Sequence, residues 1–304
     1  MPLKIIRNRN ILYWGFIILI VTLVFGITTP FKAHKPEIPF SADRAYADVV
    51  SQLTFGSRIP GSEAHRQTVN WIEKNLNDAD WDTSVEEFSL MDHAGKNIIA
   101  RRGKGNPWII LGAHYDSRIL ADQDPDIEKR KEPVPGANDG ASGVAVLLEI
   151  ARILPEIKQG QVWLVFFDLE DQGNLPGWDW ILGSRAFTIN LNNKPDAVVI
   201  IDMIGDKDLN IFKEQNSNSQ LSDEIWGAAK ILNYQSQFIN STKYRILDDH
   251  IPFLKSGIPA VDLIDFDYLY WHKTTDSVDK VSAASLAQVG NTLIEWLKYR
   301  QVVE

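Results

Sequence analysis

Short apolar runs that end beside acids or histidines constrain this chain more than any other feature. WIILGAH at 108–114 ends on His114, QVWLVFF at 161–167 is followed by Asp168, DAVVIIDM at 196–203 carries Asp202, and AVDLI at 260–264 leads towards His272. Runs of this length, rich in Val, Ile and Phe, read as strands buried on both faces. Two more strands are predicted at 84–90 and 97–101. Stretches with helical spacing lie around them, at 43–53, 64–77, 141–154, 220–232 and 283–299. In the last, Leu286, Val289, Leu293 and Leu297 share one stripe, whereas 141–154 is apolar on most faces and must be buried on most faces. Strands alternating with helices specify an α/β chain, a three-layer sandwich with a mixed, largely parallel central sheet flanked by helices. Ligands of such sheets bind beyond the carboxyl ends of the strands.

The 304 residues, 44% of them hydrophobic, suffice for one large core. The first forty residues differ from the rest. Lys4, Arg7 and Arg9 precede an uncharged stretch at 11–29. At about 1.5 Å per residue that stretch nearly spans a hydrocarbon core of about 30 Å. TTPFKAHK at 28–35 offers no A-x-A processing pattern, so 11–29 is predicted to be an uncleaved signal anchor that attaches the chain to a membrane. The basic residues place 1–10 in the cytoplasm, a proline-containing linker at 30–41 follows, and a catalytic domain at 42–304 faces the periplasm, cell exterior or a lumen. The net charge of −9, with Lys and Arg interspersed, argues against nucleic acid as a partner. With no cysteine, thiolate metal ligands are excluded.

Polar groups able to bind metal recur at the strand exits: His114 and Asp116, Asp139, then Asp168, Glu170 and Asp171, then Asp202 and His272. Singly, each has a plainer reading as a cap, a turn hydrogen-bonder or a core histidine. Asp139, for instance, stands where it could cap the helix predicted from 141. Together they are harder to dismiss, because only six histidines exist and two of them sit at strand exits beside acids. A carboxylate cluster is costly unless a cation neutralises it, and mixed imidazole and carboxylate donors suit zinc. Neighbouring side chains diverge, so of Glu170 and Asp171 one is expected to bind and the other to carry protons.

The ordered motifs LGAHYDS, GANDGASGVAVLLEIARIL, VFFDLED, LGSR, IDMIGD, DDHIPFLKSGIPAVDLI and YWHKTTDSVDKVS resemble those of the zinc exopeptidases of metallopeptidase family 28. Within that family the likeness is to the glutaminyl cyclases, and it runs from about Gly56 to Ser282. The resemblance implies that Asp139, Asp171 and His272 are zinc ligands and Glu170 the general acid and base. It implies that His114 and Asp202 match the second-zinc positions of the aminopeptidases, and that Asp202 and Asp248 match an acid pair of the cyclases that shares a proton. Trp271 matches an aromatic wall of the cyclase pocket, with Trp178, or Trp180 by spacing, as another. Where cyclases usually show Glu-Glu, this chain has Glu170-Asp171, a ligand one methylene shorter.

Two activities follow from the resemblance: cyclisation of a peptide's N-terminal glutamine with one zinc, or release of N-terminal residues with two. A non-catalytic anchored binding domain is the third reading. Three smaller expectations accompany them. Asp168 serves turn hydrogen bonding, His250 orients Asp248 or its loop, and 122–132 is a mobile surface insertion at the border of the substrate entrance.

Overall fold

The computed structural model describes residues 39–304. The expected anchor at 11–29, the basic residues before it and most of the expected linker lie outside the described residues. Among those described, no helix is long and apolar enough to cross a membrane.

In chain order the elements are α1 (Ala42–Thr54), α2 (Glu63–Asp78), β1 (Asp82–Leu90), β2 (His93–Lys104), β3 (Trp108–His114), α3 (Ala141–Ile153), β4 (Gly160–Phe167), α4 (Leu182–Ile189), β5 (Ala197–Asp202), β6 (Ile211–Lys213), α5 (Ser219–Ile231), β7 (Phe238–Thr242), α6 (His250–Lys255), β8 (Ala260–Ile264) and α7 (Ala283–Tyr299). The main sheet runs β1-β2-β4-β3-β5-β8, and β6 with β7 forms a separate parallel pair. Strands β4, β3, β5 and β8 are mutually parallel, while β1 and β2 join antiparallel at one edge. Met91 and Asp92, both at positive φ, make the two-residue turn of that hairpin.

Alternation along the parallel strands builds two cores. Ile109, Leu111, Leu164, Phe166, Val199 and Ile201 face α1, α2, α3, α5 and α7, whose stripes include Val49, Ile72, Leu147, Ile225 and Leu293. Ile110, Val165, Phe167, Val198 and Ile200 face the other way, onto Phe187 of α4 and Phe253 of α6. The sheet is therefore covered on both faces, the predicted three layers. Helix α3 is buried at every position but Arg152, and its one buried acid, Glu149, is met by Arg44 and the Ser41 backbone N–H. Phe40 packs against the same core, so the domain begins inside the stretch expected to be linker.

Helices α4 and α6 and the β6–β7 pair go beyond the sequence-based expectation. Each is short, and α6 contains Pro252, so none carries a periodic stripe.

Candidate metal centre

The residues expected to do chemistry converge on the carboxyl edge of the parallel strands. His114 ends β3, Glu170 and Asp171 follow β4, Asp202 ends β5, His272 follows β8, and Asp139 precedes α3. The backbone bends sharply there: Leu169, Ile181, Met203 and His272 all have φ between 47° and 58°. Left-handed backbone at non-glycine residues costs about 1–3 kcal/mol each and persists where surrounding contacts dictate it. Here it turns the strand exits inward.

Two triads result, and they share one residue. Asp139, Asp171 and His272 place one donor atom each within 4.8 Å of one another, and so do His114, Asp139 and Asp202. His272 Nε2 lies 2.8 Å from Asp171 Oδ1 and 4.0 Å from Asp139 Oδ2. His114 Nε2 lies 3.1 Å from both Asp139 Oδ1 and Asp202 Oδ1. Asp139 thus offers one oxygen to each side. All five residues are buried, and Asp139 Oδ2 and Asp171 Oδ2 have no hydrogen-bond partner. Unpartnered carboxylate oxygens facing imidazole nitrogens are the donor set zinc takes, so these residues fit the metal. Asp139 does not cap α3; Gly140 holds the N-cap position at φ 89°, without any side-chain cap.

The ligands are held by residues that a reading of strand ends does not single out. Asp276 accepts from the backbone N–H groups of Asn138 and Asp139 and from the Tyr268 hydroxyl. Asn138 ties that turn to Met203 O and Gly205 N, beyond Asp202. Arg58, fully buried, donates to the carbonyls of Tyr115, Pro135, Gly136 and Asp139. Arg118 donates to the carbonyls of Asp171 and Gly173 and pairs with Asp122, whose Oδ1 stands 3.3 Å from His272 Nδ1. A carboxylate behind a ligating imidazole fixes its tautomer and aims its other nitrogen.

Electrostatics record the crowding. Burial and the Asp139 charge push Asp171 up to about 6, against the pull of His272. Burial pushes Asp202 to about 7, with the charges of Asp139 and Asp248 adding and His114 opposing. Burial works to lower His272, yet Asp171 and Asp122 hold it at about 9. Burial lifts Glu170 well above the carboxylate range; His114 opposes this, and the charges of Asp248, Asp171 and Asp249 add to it. Ligation needs the carboxylates ionised and the imidazoles neutral, so metal uptake displaces the protons these pairs otherwise share.

Several expectations are corrected. Trp178 stacks on His93 at 3.6 Å between ring centroids, and it is Trp180 that stacks on His272, at 5.9 Å. Trp271 also stacks on His272, at 3.7 Å. Asp116 stands outside both triads: it accepts from the backbone of Glu170 and Asp171 and from the Gln172 side chain, clamping their loop. The 122–132 stretch is anchored at its start, because Asp122 meets His272 and Arg118, and Asp124 accepts from Thr274 N and Oγ1. Asp168 meets His65 and the backbone of Lys96 and Leu169, the turn role expected of it.

A glutaminyl-peptide cyclotransferase of Drosophila melanogaster is 28% identical over 272 residues, covering 75% of this chain and 73% of that protein. The solved glutaminyl cyclase of Porphyromonas gingivalis superposes with a TM-score of 0.81 at 32% identity, covering 87% of this chain and 100% of that one. A leucine aminopeptidase precursor of Bacteroides thetaiotaomicron superposes at 0.80 with 29% identity, covering 86% and 97%. The family profile of peptidase family M28 matches residues 97–297, a span that runs from within β2 into α7 and holds both triads, and the chain belongs to that family.

Proposed function

We propose that the protein is a zinc-dependent glutaminyl-peptide cyclotransferase, converting the N-terminal glutamine of peptides to pyroglutamate with release of ammonia. The observation that carries this reading over a di-zinc aminopeptidase is Asp248. Its carboxyl is 3% exposed, its Oδ2 has no hydrogen-bond partner, and its charge acts on both Asp202 and Glu170. Burial, with the charges of Asp139 and Asp248 adding, holds Asp202 at about 7, which makes it a poor second metal ligand. The glutaminyl cyclases similar to this chain support the same choice.

Asp139, Asp171 and His272 would hold one zinc. When bound, zinc polarises the side-chain amide carbonyl and stabilises the oxyanion that develops there. Glu170 takes a proton from the substrate's α-amine as that nitrogen attacks the amide carbon. The new C–N bond closes the ring, the bond to the amide nitrogen breaks, and Glu170 hands its proton to the departing ammonia. A carboxyl lifted by burial suits both halves of this transfer. The resemblance to the cyclases gives Asp202 and Asp248 a shared proton beside the reacting amide. Trp271 and Trp180, stacked at His272, wall a slot for a flat amide and keep amine and carbonyl in attack geometry. A cleft of about 300 Å³ lined by Trp180, Ile181, Arg185, Leu247 and Lys255 shares Trp180 with that slot and would take the rest of the peptide.

The aminopeptidase reading retains one observation in its favour, the sharing of Asp139 between two triads. One assay separates the two: ammonia release from a glutaminyl peptide measured beside amine release from a leucyl anilide. Ammonia without amine is expected, and amine release alone would sink the cyclase. Glu170→Gln is expected to lower turnover by about 10²–10⁴-fold. Attachment to a membrane through 11–29, with the domain outside the cytoplasm, belongs to the same proposal and rests on sequence. Recovery of the full chain in the soluble fraction after lysis would refute it.

A further inference from the structure

We infer that His250 is a positioning residue for this reaction, holding Asp262, and through it Asp248, from behind the active site, with Glu214 as its anchor. The inference rests on the cyclase reading and extends it to residues that touch no substrate.

Asp262 is the anomaly that calls for an explanation. It lies in the middle of β8, a strand buried at all five positions, with Val261 and Leu263 packed in the larger core. A carboxyl there costs several kcal/mol unless it is paired. Its surroundings supply His250 and Asp248: one donor atom from each of the three lies within 4.8 Å of the others. His250 Nδ1 stands 3.6 Å from Asp262 Oδ2, and its Nε2 stands 3.2 Å from Glu214 Oε2. His250 and Asp262 are fully buried, and Glu214 is 4% exposed. The imidazole stands between two carboxyls at ion-pair distance, with no closed hydrogen bond at either ring nitrogen.

One end of this row is fixed and the other reaches the chemistry. Glu214 accepts from Asn216 N and Nδ2, Ser217 N and Oγ, and Ile246 N, so it cannot follow His250 if the ring shifts. Ser217 Oγ also accepts from Asp262 N, which ties the same turn to β8. At the far end, Asp262 and Asp248 each place a donor atom in the same 4.8 Å cluster, and burial lifts Asp262 well above the carboxylate range, with the charges of Asp248, Asp202 and Glu214 adding, the direction that favours a hydrogen bond between the two carboxyls. Asp248 Oδ1 already accepts from Asp249 N, which leaves Oδ2 for that contact. Asp248 then meets Asp202 and Glu170 in one orientation, set by a chain of side chains that ends at the Glu214 turn.

The test uses the full chain, loaded with zinc, on a glutaminyl peptide. Glutamine at 250 retains a nitrogen where Nε2 meets Glu214, and asparagine retains one where Nδ1 meets Asp262. His250→Gln is expected to lower kcat about 10- to 100-fold, the range for residues that orient a site's working groups. KM and zinc content should stay unchanged, and His250→Asn should keep more of kcat than His250→Gln. In an Asp248→Asn background, His250→Gln should cause no further loss, because its effect runs through Asp248. Losses that multiply, or an unchanged kcat, would overturn the inference. So would a fall in zinc stoichiometry, which would make the three residues a metal site. Ser217→Ala is the milder second variant: it removes the hydroxyl's hydrogen bonds to Glu214 and from Asp262 N, a kcat loss of about fivefold is expected, and no loss would overturn the inference. If the unaltered protein releases no ammonia, the cyclase reading itself has failed, a result separate from all of these.

Discussion

Asp139 is the side chain on which both triads depend, and its own carboxyl does little to place it. That task falls to Asp276, whose two oxygens accept from Asn138 N and Asp139 N at 2.9 and 3.2 Å. An asparagine there would keep an oxygen for one of those donors and turn its amide NH₂ towards the other. Asp276→Asn is therefore expected to weaken zinc affinity about 10- to 100-fold at nearly unchanged fold, measured by chelator competition with circular dichroism as control. An unchanged affinity would show that the Asp139 turn holds without it. The tryptophans give a second test at this scale. Trp180→Ala is expected to lower kcat/KM about tenfold by removing an aromatic wall, while Trp178→Ala, which only uncovers His93, should leave it unchanged. The reverse ranking would restore Trp178 to the pocket. Ligand candidates were legible because they stand at strand exits, where an α/β sheet places its chemistry. The supporting residues were not: Asp276, Arg58 and Asp122 act through backbone carbonyls, amides and a histidine's far nitrogen, and no spacing announces such partners.

Strands β3, β4 and β8 and helices α1, α2, α3, α5 and α7 were legible almost to the residue, because each has an apolar run or stripe long enough to show its period. Helix α4 was not. It has eight residues and starts behind Ile181, a β-branched residue at φ 58° that no local preference favours. Its position follows from tertiary contacts, Ile181 N donating to Glu170 O and Leu182 N to Leu169 O. The approach of α3 to β5 depends on a similar intimacy. A Cβ on Gly143 would stand 2.6 Å from Ile201 O and 2.8 Å from Ala113 Cβ, so the first turn of α3 touches the strand ends that carry His114 and Asp202. Gly143→Ala must push that turn outward and carry Asp139 with it. A loss of about 1–3 kcal/mol by denaturant titration is expected, together with weaker zinc binding, since overpacking moves backbone where no side chain can yield. Stability lost with zinc affinity intact would mean that the metal centre does not ride on α3.

For the whole molecule, the metal is expected to act as a structural clamp as well as a reagent. The ends of β4 and β5 and the starts of α3 and α6 bring Asp139, Asp171, Asp202, Glu170 and Asp248 together with at most 8% exposure each, and their mutual repulsion opposes the closing of the sheet's carboxyl edge. A cation held only by the folded chain stabilises it by mass action, about 2.7 kcal/mol when free metal is a hundredfold above its dissociation constant. For a domain of this size that corresponds to a melting temperature about 5–10 °C higher. Chelation should remove the increment and added zinc should restore it. The variants then report how many ions contribute. Asp139→Asn removes the residue common to both triads and should abolish the zinc-dependent shift altogether. Asp202→Asn disables only the triad with His114; on the single-zinc reading it keeps the whole shift and a stoichiometry of one. A shift that Asp202→Asn cuts substantially, with bound zinc falling from two to one, would show that the second triad is loaded. The balance would then pass to the aminopeptidase, and Asp248 would need another explanation.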